Sequence, residues 1–261
     1  MSRAASGPGA AEVVEQVGRA GGWARAHLPG LLAGGLVAAG SLLVVRGVSN
    51  PAGADWGVTS LVVVTALLMV GIAAASARLA SAHQLALVGA LAAFATASRL
   101  LFASLPNFKP VTFVVLTAGA ALGPAPGFMI GATTALISNL FFGQGPWTPW
   151  QMLAWGVIGA VGGLLGLRGR RPRRWELVVV GAVGAVAFDW FVSLWMYLAF
   201  TARTWPALVA LYAQGLVFDA SHAAATVLFA ALFGVQMVEL IARFRRRTEV
   251  RLLPFEEGSS R

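Results

Sequence analysis

Eight stretches of this chain are runs of apolar residues, and their length leaves few folds open. A helix crossing about 30 Å of hydrocarbon needs about 20 mostly apolar residues. It must also satisfy its backbone hydrogen bonds within its own segment. The runs fall at 28–45, 58–79, 85–102, 111–122, 127–142, 151–167, 175–200 and 207–241. The fourth is too short to span unaided, and the Gly123-Pro124-Ala125-Pro126 break separates it from the fifth. Composition agrees: of 261 residues, 58% are hydrophobic and 11% charged, against about 45–50% and about 25% in soluble domains. A water-exposed surface cannot be built from so few charges. The expected fold is therefore an all-α polytopic transmembrane bundle of about eight helices. The first run starts too late and is too long for a signal core, so it reads as a retained helix.

The net charge of +9 is a topology signal. Arg168, Arg170, Arg171, Arg173 and Arg174 follow the sixth run, and Arg243, Arg245, Arg246, Arg247 and Arg251 follow the eighth. Two spans separate these clusters, so both lie on one face, and excess arginine marks that face as cytoplasmic. The tail with Arg3, Arg19 and Arg25 falls on the same side, giving an N-in, C-in arrangement. A nucleic-acid surface is not needed to explain the charge. With no cysteine and three histidines, disulfides and thiol chemistry are excluded, and a catalytic metal site is not expected. The chain has no GxxxxGK[ST] loop, so no nucleotide cofactor is expected and no ATP hydrolysis by the chain itself.

Ionisable residues inside a span are expensive and mark candidate sites. Here they are Arg99, Asp189, Asp219 and His222. A rise of about 1.5 Å per residue places all four, with Asn139, Gln151 and Trp155, in the outer half of the bilayer. The inner half is nearly all Ala, Val, Leu and Gly. This asymmetry suits a cavity open to the outside better than a relay across the full thickness. Arg99 with Asp189, or with Asp219, also reads as a structural ion pair that neutralises itself and locks the helices. Asp219 and His222, one helical turn apart, share a face and could form an acid/base pair.

Between the fifth and sixth runs lies Gly143-Gln144-Gly145-Pro146-Trp147-Thr148-Pro149-Trp150-Gln151-Met152. Its tryptophans fit an interfacial aromatic belt or, with Gln144 and Gln151, the wall of a small-molecule pocket. The stiff segment Pro106-Asn107-Phe108-Lys109-Pro110 would sit across the mouth. The third run carries rows of small residues at spacings that let a second helix approach closely.

Several of these segments together resemble a known family. Gly123-Pro124 to Gly127-Phe128, Gly131, Ser138-Asn139, the stretch 143–156, Pro106–Pro110 and Phe218-Asp219-Ala220-Ser221-His222 are similar to the substrate-specific S components of energy-coupling factor (ECF) transporters. The similarity is closest to the cobalamin-type group and its bacterial relatives. It covers roughly 85–247 and implies a six-helix core at 81–242, preceded by a tail at 1–27 and two additional helices at 28–80, and followed by a basic tail at 243–261. It also implies a multi-pass subunit of the cell membrane that captures a vitamin or related micronutrient outside, with a corrinoid such as cobalamin as the favoured ligand. Its partners would be a transmembrane T component and two ABC-type ATPases. The alanine motif that meets the T component would correspond to Ala86, Ala90, Ala93 and Ala97. The pocket would draw on Asn107, Lys109, Asn139, Gln144, Trp147, Trp150, Gln151, Trp155, Asp189, Asp219 and His222.

Overall fold

The computed structural model describes residues 32–79 and 81–248. Among them are eight α-helices and no strand: α1 (Leu32–Ser49), α2 (Trp56–Ser76), α3 (Ala82–Leu101), α4 (Val111–Leu122), α5 (Pro124–Phe142), α6 (Thr148–Leu165), α7 (Arg174–Phe200) and α8 (Trp205–Thr248). Seven are long and apolar enough to cross a membrane, as expected of a multi-pass membrane protein. The expected tail at 1–27, the start of the first helix at 28–31 and the end of the basic tail at 249–261 lie outside the described residues.

The exception is α4, which has 12 residues, or roughly 18 Å of helix. It need not reach across lipid because it sits at the centre of the bundle, where all residues from Val111 to Ala121 are buried. Non-spanning backbone is tolerated at membrane depth when protein surrounds it. Gly123 ends α4 with φ 106°, a conformation glycine adopts without steric cost. Pro124 then opens α5 at the position where its missing N–H matters least.

Most helices begin or end a few residues beyond their apolar runs, and in two this changes the reading. At α6, Pro149 sits in the first turn, so Thr148 to Trp150 belong to the helix and the loop before it is shorter than the sequence suggests. At the other end of the chain, α8 continues through Arg243–Arg247, because arginine is a good helix former and hydropathy alone cannot register that.

Glycine sets how closely α4, α5 and α6 approach. A Cβ on Gly119 would lie 2.0 Å from the Gly159 carbonyl oxygen, and one on Gly159 would lie 2.0 Å from that of Gly127. Backbones therefore meet directly, as small residues permit in lipid. The main apolar core runs through this contact and includes Leu116, Ile130, Trp155 and Leu177. Outside it, α2 packs on α5, α6 and α7, with Phe128 in a second, smaller core beside Leu68 and Ala75. The first two helices are thus joined to the bundle through α2.

At one end of the bundle lie the α3–α4 and α5–α6 loops. At the other, Gly123, the α6–α7 loop and the arginines of α8 come together around a basic cleft. Arg170 pairs with Glu176, and Arg171 with Glu239 at 3.3 Å.

Candidate functional site

A cavity of about 230 Å³ opens at the first of these ends. It is walled by residues of α3, α4, α6, α7, α8 and the α3–α4 loop, including Arg99, Lys109, Gln151, Trp155, Asp219 and His222. Ionisable side chains are rare in this chain, yet five of them converge on this space with Asn107.

Its acidic wall is organised around His222, which is 2% exposed. His222 Nδ1 lies 2.8 Å from Asp189 Oδ2 and Nε2 lies 2.7 Å from Thr112 Oγ1. Trp155 Nε1 donates to that same Thr112 oxygen at 2.9 Å. One proton arrangement satisfies the whole chain: Trp155 donates to Thr112, Thr112 donates to His222 Nε2, and His222 Nδ1–H donates to Asp189. Phe188 stacks on Trp155 with ring centres 4.5 Å apart and meets the His222 ring edge-on at 5.6 Å. The rotamers of all three rings are thereby fixed.

Asn107 ties the mouth to this wall. Its amide donates to Asp189 Oδ1 at 3.2 Å and to the Phe218 carbonyl at 3.1 Å. Ser221 adds a second tie by donating to the Pro106 carbonyl at 2.7 Å. Asn107 stands at φ 53°, a left-handed conformation that asparagine tolerates better than most residues. Asp219 accepts from Trp190 Nε1 at 3.0 Å.

The basic wall has its own support. Arg99 Nη1 donates to Ser138 Oγ at 2.5 Å and to Asn139 Oδ1 at 2.8 Å. Asn139 in turn donates to Gln151 Oε1 at 2.7 Å and to Thr148 Oγ1 at 3.0 Å. The guanidinium carbon lies 4.4 Å from the Phe142 ring centre and 5.0 Å from that of Trp155, both within cation–π range. Lys109 Nζ lies 5.7 Å from the same Phe142 ring. Burial and the nearby Arg99 push the Lys109 ammonium below its ordinary pKa, and Asp189 opposes them.

Of the sequence-derived candidates, Asn107, Lys109, Gln151, Trp155, Asp189, Asp219 and His222 line the cavity. Asn139 stands behind it, buried, holding Arg99 and Gln151. Three others lie elsewhere. Gln144 bonds to the Leu136 carbonyl and to Thr148. Trp147 packs on Trp195, with ring centres 6.1 Å apart. Trp150 is buried against Phe191 at 4.9 Å. The cause is the early start of α6, which turns Trp150 inward and leaves Trp147 at the helix entrance.

The expected Arg99–Asp189 ion pair is not made. Asp189 takes His222 and Asn107 instead, and Arg99 takes two neutral oxygens. His222 likewise bonds with Asp189 rather than with its neighbour Asp219. Sequence reasoning missed Thr112 and Ser138 as members of the site. A threonine in an apolar run carries no signal of its own, whereas Ser138 had one in its adjacency to Asn139. Ala86, Ala90, Ala93 and Ala97 are all exposed on α3, and nothing lies within 4 Å of where a Gly89 Cβ would be.

Among the described residues, no group of three or more His, Asp or Glu side chains comes together to hold a metal. No curated protein and no solved structure matches the chain. A family model does match residues 80–248, which take in α3 to α8 and every residue lining the cavity, and the chain belongs to that family, the family of unknown function DUF6580.

Proposed function

We propose that this protein is the substrate-capture subunit, or S component, of an ECF-type importer. It takes a small organic nutrient from outside the cell and works with a T component and two ABC-type ATPases. The observation that carries this reading is the gathering of Arg99, Lys109, Asp189, Asp219 and His222 around one open cavity at one end of an otherwise apolar bundle. Intramembrane charge is retained where it serves a pathway or a site. The arginine-rich end lies opposite, which favours the cavity end as the outer face and an N-in, C-in arrangement in the cell membrane.

Cavity size narrows the ligand. Pockets that take drug-sized molecules have volumes of about 300–1,000 Å³, and about 230 Å³ is below that range. A corrinoid does not fit the cavity as it stands, so the proposed nutrient is a smaller vitamin or a compound of similar size.

The exposed small-residue face of α3 supports Ala86, Ala90, Ala93 and Ala97 as the surface that meets the T component. Ala90→Trp or Ala93→Trp is expected to abolish co-purification with a T component while ligand affinity stays unchanged. Full retention of the complex would contradict the docking assignment.

An enzymatic reading has one feature in its favour. Asp189, His222 and Thr112 are ordered as carboxylate, imidazole and hydroxyl, as in hydrolases that activate an alcohol. Thr112, however, is fully buried and accepts from Trp155. It is not among the cavity-lining residues. A nucleophile must reach its substrate, and here the hydroxyl serves to hold His222 and Trp155 in place. Turnover abolished by Thr112→Val, with binding retained, would favour the enzyme.

A further inference from the structure

We propose that the ligand is a small organic acid whose carboxylate is held by Arg99 and Lys109, with a hydrogen-bond donor at its other end facing Asp219. This rests on the capture reading and gives it a substrate class.

Charge on the basic wall is not paired directly with a carboxylate of the protein. Arg99 and Lys109 line the same cavity, yet among the described residues neither has a carboxylate within ion-pair distance. A cation held within a bilayer is costly unless something compensates it. Arg99 makes its hydrogen bonds through Nη1, to Ser138 and Asn139. Nε and Nη2 are left without a protein acceptor among the described residues. The bonds from Asn139 to Gln151 and Thr148 stiffen the anchor behind it. The result is a fixed guanidinium with donors to spare, and a planar fork of this kind suits a carboxylate. Lys109 bonds only weakly, to the Leu105 carbonyl at 3.4 Å, and adds a second positive charge on that side.

The opposite wall selects the far end of the ligand. Asp189 is occupied by His222 and Asn107. Asp219 bonds to Trp190 through Oδ2, and its Oδ1 has no donor among the described residues. A donor on the ligand completes Asp219.

The test uses acid and amide pairs that differ in charge and hardly in shape: acetate with acetamide, benzoate with benzamide, and nicotinate with nicotinamide. Inorganic phosphate serves as the bare anion. Binding to the full chain in detergent is read by calorimetry and by the rise in thermal unfolding temperature. The acids are expected to bind at least tenfold more tightly than their amides. Arg99→Gln should remove that preference, and Lys109→Gln, in the α3–α4 loop, should reduce it several-fold. Amides binding as well as acids would overturn the charge assignment and leave capture standing. Phosphate binding better than every acid would overturn the carboxylate. No binding by any probe to the folded protein would overturn the organic-acid assignment and leave capture to be decided by the wider panel of nutrients.

Discussion

The cavity and the glycine contact of α4, α5 and α6 solve opposite problems with the same helices. At the cavity, side chains are long, polar and joined in networks that reach across several helices. At the glycine contact there are hardly any side chains, and backbones touch. Trp155 and Gly159 stand one helical turn apart on α6. Trp155 donates to Thr112 in the polar network, whereas Gly159 lies against Gly127 and Gly119. A close backbone contact fixes helix positions with few degrees of freedom, so a polar site nearby can keep its geometry without a large apolar core of its own. Specificity at one end is therefore expected to depend on rigidity at the other.

The largest effect should come from breaking the backbone contact. Gly159→Val would put a Cβ 2.0 Å from the Gly127 carbonyl oxygen, and overpacking costs about 1–3 kcal/mol or more. Thermal unfolding in detergent should show the loss, with ligand binding lost alongside it. A Gly159→Val protein of unchanged stability and affinity would show that the two regions are independent.

Asp189→Ala comes next. It leaves the His222 Nδ1–H without its acceptor and the Asn107 amide with only the Phe218 carbonyl, and an unsatisfied buried donor costs about 1–3 kcal/mol. Binding should fall more than tenfold while the fold survives, as measured by calorimetry beside circular dichroism. Asn107→Ala should be milder, about 1 kcal/mol for the lost hydrogen bonds, with affinity reduced several-fold. Asn107→Gly sharpens the comparison because it keeps φ 53° accessible and removes only the amide. If Gly restored wild-type affinity, backbone conformation and not the tie to Asp189 would be what matters. The smallest effects belong to Gln144→Ala and Trp147→Phe, which lie off the cavity and should leave affinity within about twofold.

These contrasts also show what the sequence made legible. Run length revealed the seven long helices, because lipid imposes a length on any apolar segment that crosses it, and the break at 123–126 marked off the short α4 at 111–122. The scarcity of buried charge revealed Asp189, Asp219 and His222, since each must have a reason to be there. Partner choice was not legible. Arg99 and Asp189 are opposite charges at similar depth, so pairing them was the simplest assumption, but three-dimensional proximity gave Asp189 to His222. Trp147 and Trp150 looked equivalent in the loop, and only the start of α6 at Thr148 separates them. The glycine contact was hidden for a different reason. In a chain with 31 glycines, no spacing stands out, and only the packed helices reveal which of them touch.

If the charged cavity captures a small solute, intrinsic tryptophan fluorescence should report it, because Trp155 lines that cavity. Purified protein is titrated with a panel of vitamins and related small nutrients, alongside the Asp189→Asn and Trp147→Phe variants. Capture at this site requires a saturable change in emission with at least one compound, lost in Asp189→Asn and kept in Trp147→Phe. A folded protein that responds to none of them, or that responds equally when Asp189 is replaced, would contradict it.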